Sequence, residues 1–182
     1  MNIALLLIDI QNDYFPGGAM ELAGSVEAGQ RAAMLLAAFR RTGRPVIHVQ
    51  HISTRPGATF FLPDTPGAEI HPCVAPHEGE TIVRKHFPNS FRETPLLEHL
   101  RNRNITGLVI AGMMTHMCVD TTTRAAADLG FSCQLAHDAC ATRALSFGGS
   151  TVAAADVQTA FVASLNGFFA KVQSAGDLCA GL

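Results

Sequence analysis

Asn2-Ile3-Ala4-Leu5-Leu6-Leu7-Ile8-Asp9 opens the chain with six consecutive aliphatic residues closed by one carboxylate. A strand with one wet face alternates polar and apolar residues, so an unbroken run predicts a parallel strand buried on both faces. Six apolar residues are far short of the roughly 20 that cross a bilayer, and the run ends in Asp9 rather than in a small-residue cleavage site. The expectation is a central strand of a mature, cytoplasmic protein with no membrane partner.

Working outward, Ser25 to Thr42 reads as a helix with Val26, Gly29, Ala33, Leu36 and Phe39 on one stripe and Gly43 as its C-cap. Strands are expected at Pro45 to His51, Thr81 to Arg84, Gly107 to Met113, Ser132 to His137 and Phe168 to Ser174. Helices are expected at Thr94 to Arg103, with Leu96, Leu97 and Leu100 inward, at Cys118 to Leu129, stopped by Gly130, and at Val152 to Leu165. The tail from Asp177 reads as frayed. Six strands alternating with helices predict an open six-stranded parallel sheet with right-handed crossovers, a Rossmann-like three-layer α/β/α fold. No repeat or linker divides residues 1–182, so one domain is expected. A Pro- and Gly-rich loop from Arg55 to Glu80 would close over a pocket or pack on a second subunit.

Composition removes other classes. Lys and Arg total 13 against 15 Asp and Glu, a net charge of -2, so no basic field exists to attract nucleic acid. Hydrophobic residues make up 48% and charged residues 15%, which excludes disorder and leaves too little charge for a fully wetted surface. Helices on both sheet faces explain part of that shortage, and a homo-oligomer interface is expected to explain the rest. The five cysteines, at 73, 118, 133, 140 and 179, form no C-x-x-C pair and read as free thiols.

Ligands of such sheets bind beyond the carboxyl ends of the strands, where strand order reverses. Three reactive side chains follow strands: Asp9 the first, Lys85 the third and Cys118 the fourth, across Met114-Thr115-His116-Met117. Alone, each has a plainer reading as a turn former, a solvated charge or a small buried hydrophobe. Together they supply a thiol, a carboxylate to take its proton and an ammonium to hold that carboxylate, the parts of covalent catalysis. Cys118 at a helix start would be favoured as thiolate by the unpaired N–H groups there. The other four cysteines lack that placement.

Three ordered motifs carry a family likeness. Leu7-Ile8-Asp9-Ile10-Gln11-Asn12-Asp13-Tyr14, then Val83-Arg84-Lys85 with Ser90-Phe91-Arg92-Glu93-Thr94, then Val109 through Val119 resemble the isochorismatase-like cysteine hydrolases. The resemblance implies an Asp9–Lys85–Cys118 triad and a cis peptide between Met113 and Met114. It also implies an oxyanion hole from the backbone N–H groups of Met114 and Cys118, and hydrolysis of a small-molecule amide or related C–N bond without a cofactor.

Nicotinamidases of that family carry an Asp-x-His metal pair after the second strand. This chain has His48-Val49-Gln50-His51 there, with the two histidines on opposite faces of a strand, so no metal is expected. Isochorismatases that cleave a vinyl ether lack the nucleophilic cysteine, which disfavours that alternative. A non-enzymatic oligomeric binding or redox-sensing module is the other alternative. Tyr14, His51, Phe60, Phe61, Phe91 and His116 are candidate substrate contacts, each with a competing reading as a core, interface or cap residue.

Overall fold

The first strand's aliphatic run divides its side chains between two cores. In the computed structural model, which describes residues 2–182, β1 (Ile3–Ile8) sends Leu5 and Leu7 into one hydrophobic cluster and Ala4, Leu6 and Ile8 into another. Both faces are therefore dry, and polar alternation is absent for that reason. The chain continues through α1 (Ser25–Arg41), β2 (Val46–His51), β3 (Thr81–Lys85), α2 (Leu96–Asn102), β4 (Gly107–Met113) and α3 (Asp120–Asp128). Then come β5 (Ser132–Ala141), a hairpin of β6 (Leu145–Phe147) and β7 (Ser150–Val152), α4 (Ala154–Leu165), β8 (Lys171–Gln173) and α5 (Ala175–Ala180).

The main sheet has the order β3-β2-β1-β4-β5-β8 and every pairing in it is parallel. Residues of α1 and α5 pack in the first cluster, while residues of α2, α3 and α4 pack in the second, completing the α/β/α layers. Strand order reverses between β1 and β4, so the crevice for a ligand lies where those two strands end. Gly112 makes their close approach possible. Its φ is 144°, and a Cβ there would lie 2.1 Å from the Ile8 carbonyl oxygen. Asp9 follows with φ 51°, a left-handed conformation that turns its side chain out of the strand's alternation.

Several sequence expectations are corrected. The buried face of α1 is Ala28, Gly29, Ala32, Leu35, Leu36, Ala38 and Phe39, so Gly29, Leu36 and Phe39 lie as expected, whereas Val26 is exposed and Ala33 half-buried. The second helix begins at Leu96, because Pro95 disfavours a helical conformation at Thr94, and Leu97 is half-buried. The hairpin β6–β7, turned by Gly148-Gly149, takes residues the periodicity assigned to loop and helix, and its Phe147 is 94% exposed. The tail is an ordered helix: the Ser174 hydroxyl accepts from Asp177 N–H at 3.1 Å, and Ala175 and Leu178 bury in the cluster shared with α1. Six residues offer too few periodic positions to reveal it. Among the described residues no helix is long and apolar enough to cross a membrane.

Glu80 ties this frame together ahead of β3. Its carboxylate accepts from Arg40 Nε at 2.7 Å and Nη2 at 2.8 Å and from His77 N–H at 2.8 Å, and lies 2.9 Å from His48 Nε2. The Arg40 hydrogen bonds hold it down to about 2 from an ordinary 4.5, against the opposing pull of burial. A depressed carboxyl stabilises the fold above its unfolded value and loses that contribution as pH falls through its folded one. Glu80→Gln is therefore expected to lower unfolding stability by about 1–2 kcal/mol at neutral pH. In urea denaturation the gap to wild type should close between pH 4.5 and 2; a constant gap across that window would refute the assignment.

Candidate active site

At the reversal point Asp9, Lys85 and Cys118 meet below the surface, 0%, 1% and 5% exposed. Lys85 reaches across from the β3 edge. Its Nζ lies 2.7 Å from Asp9 Oδ2 and 3.1 Å from both His51 Nδ1 and the Phe87 carbonyl oxygen. The ammonium thus has one ion-pair partner, Asp9, and two hydrogen-bonding partners. Burial, the largest single influence, would lower the Lys85 pKa, but Asp9 and Cys118 together outweigh it and the net direction is upward, which favours the charged ammonium. No backbone N–H reaches the Asp9 carboxylate among the described residues, so its polar neighbours are this ammonium and the Cys118 thiol.

Cys118 does not open a helix. It lies inside a π-helical turn, Thr115–Val119, that precedes α3. Burial first, and then the Asp9 charge, push its thiol well up, while Lys85 pulls the other way without prevailing. Burial and the Asp9 charge therefore act against the thiolate that a helix-start position would favour. The peptide between Met113 and Met114 is cis, and the Met114 N–H makes no hydrogen bond among the described residues. The remaining cysteines are also free thiols, and burial raises Cys73 and Cys133 to about 11 and Cys140 to about 12.

A cavity of about 450 Å³ opens above Cys118 and Met114. Tyr14, Phe60 and Phe61 form its apolar wall, with ring centroids 4.5 Å apart for Tyr14–Phe61 and 5.0 Å for Phe60–Phe61. His51 also lines it, and burial lowers this histidine to about 4, so at neutral pH its Nδ1 is free to accept from Lys85. Four of the six candidate substrate contacts are therefore brought together. Two are not: Phe91 packs against Phe131 in the second core, 6.1 Å between centroids, and His116 Nδ1 lies 2.5 Å from Thr142 Oγ1 beside Phe161. Adjacency in sequence to Lys85 or Cys118 placed them near the site; the direction of each side chain takes them away.

Two positioning residues were read only as parts of a motif. Gln11, fully buried, donates to the carbonyls of His51 (2.9 Å) and Ala68 (2.7 Å) and accepts from His51 N–H at 2.7 Å, clamping the end of β2. The Asp13 carboxylate accepts from Phe61 N–H at 2.6 Å and Ala19 N–H at 3.1 Å, fixing the aromatic wall. Polar residues directly after a buried strand are the signal that marks them.

Asp9, His51 and Cys118 place donor atoms within 4.8 Å of one another, a spacing that could suit a metal ion. The Lys85 ammonium already bonds to two of these three residues, so a cation there would face a buried positive charge. His48 turns to Glu80, on the opposite side of β2 from His51.

Comparison with known proteins gives consistent results. A sequence model of the Isochorismatase domain matches residues 3–177. The chain is 51% identical over 174 residues to YddQ, an uncharacterised isochorismatase family protein of Bacillus subtilis (strain 168), covering 96% of this chain and 97% of that protein. It is 38% identical over 139 residues to a streptothricin hydrolase of Streptomyces noursei, covering 76% of this chain and 49% of that one. The solved structure of a candidate isochorismatase hydrolase from Oleispira antarctica superposes with a TM-score of 0.95 at 53% identity, covering 99% of this chain and 97% of that one. More distant matches include a nicotinamidase of Acinetobacter baylyi, 27% identical with 82% of this chain and 85% of that one covered. A maleamate amidohydrolase of Pseudomonas putida is 29% identical, with 70% and 67% covered.

Proposed function

The chain belongs to the isochorismatase family, and on that footing we propose that it is a cysteine hydrolase acting on a small amide or related C–N bond. The observation that carries this reading is the buried Asp9–Lys85–Cys118 cluster at the floor of a cavity walled by aromatic side chains. Amide-cleaving relatives support the bond type.

In the proposed reaction the Asp9 carboxylate takes the thiol proton as Cys118 Sγ attacks the substrate carbonyl carbon. The oxyanion that forms is held by the N–H groups of Met114 and Cys118. Its collapse breaks the C–N bond, and the proton on Asp9 leaves with the amine. Water then attacks the thioester with Asp9 again as base, and the acid departs as the thiol is regenerated. Lys85 is a positioning residue here. It anchors one carboxylate oxygen at 2.7 Å and leaves the other to face the thiol. A neutral thiol coupled to a desolvated carboxylate transfers its proton during attack, which suits a site where burial disfavours a standing thiolate.

A panel of small amides, ureas and carbamates assayed for ammonia release, with intact-mass detection of a transient acyl adduct, tests the reading. An adduct mapped to Cys118 is the expected result. Turnover with no adduct on Cys118 under rapid quench would overturn the covalent mechanism.

A further inference from the structure

The turn that carries Cys118 is fastened by side chains that do not line the cavity. Thr115, at its start, is fully buried, and its Oγ1 lies 2.6 Å from Gln158 Oε1 and 3.1 Å from the Ala141 carbonyl oxygen. A hydroxyl has one proton to donate, and the shorter contact makes Gln158 its main acceptor. His116 follows, with its Nδ1 2.5 Å from Thr142 Oγ1 and its ring edge-on to Phe161. Gln158 and Phe161 are three positions apart on α4, so one face of that helix meets both residues of the turn.

The other half of the Gln158 amide is engaged as well. Its Nε2 donates to the His137 carbonyl at 3.0 Å and, more weakly, to the Cys140 carbonyl at 3.5 Å. Both carbonyls belong to an irregular stretch of β5. Ile110 of β4 pairs with Leu135, but Gly112 pairs with Cys140, where a regular register would give His137. A primary amide carries an acceptor and two donors on one plane, so Gln158 can hold the turn and this stretch of β5 in fixed relation. The cavity's aromatic wall is anchored separately. Asp13 pins Phe61 and Gln11 clamps His51 through hydrogen bonds that involve neither Gln158 nor Thr115.

Resting on the hydrolase reading above, we propose that Gln158 is a positioning residue for Cys118: joined to Thr115 on one side and to β5 on the other, its amide sets where the Thr115–Val119 turn presents the thiol and the N–H groups of Met114 and Cys118. A turn released from this link would misplace Sγ relative to Asp9 and the substrate carbon, and a misplacement of about 1 Å can cost about a hundredfold in rate. Substrate binding draws on the separately anchored wall, so the effect falls on kcat and hardly on KM.

The test compares Gln158→Met, which keeps the length and removes both polar ends, with Gln158→Glu, which keeps an acceptor for Thr115, and with Thr115→Val. Ammonia release is measured on the amide of the panel above that wild type turns over fastest. Rates are expressed per folded molecule, quantified by urea unfolding, so that lost stability does not count as lost rate. Gln158→Met is expected to lose at least about tenfold in kcat with KM within about threefold, and Gln158→Glu to keep several times the kcat of Gln158→Met. Adding Thr115→Val to Gln158→Met should cost little beyond the larger single loss, because both remove the same contact. Backbone hydrogen exchange in Gln158→Met should be faster over residues 114–119 and unchanged over residues 53–61. A kcat within about twofold of wild type in Gln158→Met, or single losses that multiply in the double variant, overturns the proposal and leaves the hydrolase reading standing. If wild type turns over no amide, the hydrolase reading falls and exchange decides: faster exchange confined to the turn sustains the positioning role, and wild-type exchange there overturns it.

Discussion

Cys118→Ala is expected to reduce amide turnover at least about a thousandfold while leaving the fold in place. Lys85 is a poor substitute for the attack, because its ammonium is held charged beside the Asp9 carboxylate and is further engaged by His51 Nδ1 and the Phe87 carbonyl. Water is a weak substitute, since the amide carbon would lose the covalent route that splits one hard step into two. The structural cost should be small. Cys118 Sγ faces the cavity, so its removal enlarges an existing space and is expected to cost about 1 kcal/mol or less. Ammonia release and thermal unfolding measured on the same preparation separate the two effects. Wild-type turnover in this variant would end the nucleophile assignment.

Asp9→Asn should damage both catalysis and stability. The substitution removes the base and also leaves the Lys85 ammonium buried without a counter-charge. Breaking a buried pair from one side typically costs about 3–5 kcal/mol, whereas replacing both partners with uncharged side chains is often close to neutral. Asp9→Asn is therefore expected to lose more than about a hundredfold in rate and about 3–5 kcal/mol in urea denaturation. The double variant Asp9→Asn/Lys85→Met should recover most of the stability and none of the activity. An Asp9→Asn protein as stable as wild type would mean that the ammonium is not desolvated as the 2.7 Å contact and full burial require.

The elements read correctly from sequence share one property. β1 and β4 are buried on both faces, and a continuous aliphatic run leaves little else for Ile3–Ile8 or Gly107–Met113 to be. Position at the carboxyl ends of β1, β3 and β4 then singled out Asp9, Lys85 and Cys118. Elements that were missed depend on contacts with distant segments. The helix at Ala175–Ala180 forms because Ala175 and Leu178 find the α1 cluster, and the hairpin at Leu145–Val152 follows from two left-handed glycines. Phe91 and His116 sit near Lys85 and Cys118 in sequence, but Phe131 and Thr142 draw their side chains elsewhere.

By itself, the sequence determined the sheet, the family likeness and the three reactive residues, because side-chain alternation and strand-end placement are properties of the local chain. Only the tertiary structure decided the burial of Cys118 beside Asp9, the clamping contacts of Gln11 and Asp13, and the aromatic wall of the cavity. Those depend on desolvation and on groups delivered by β2, β3 and the loop from Ser53 to Phe61, segments distant in sequence from the residues they govern. A thiol's proton affinity is set by everything packed around it, and that packing exists only once the chain has folded.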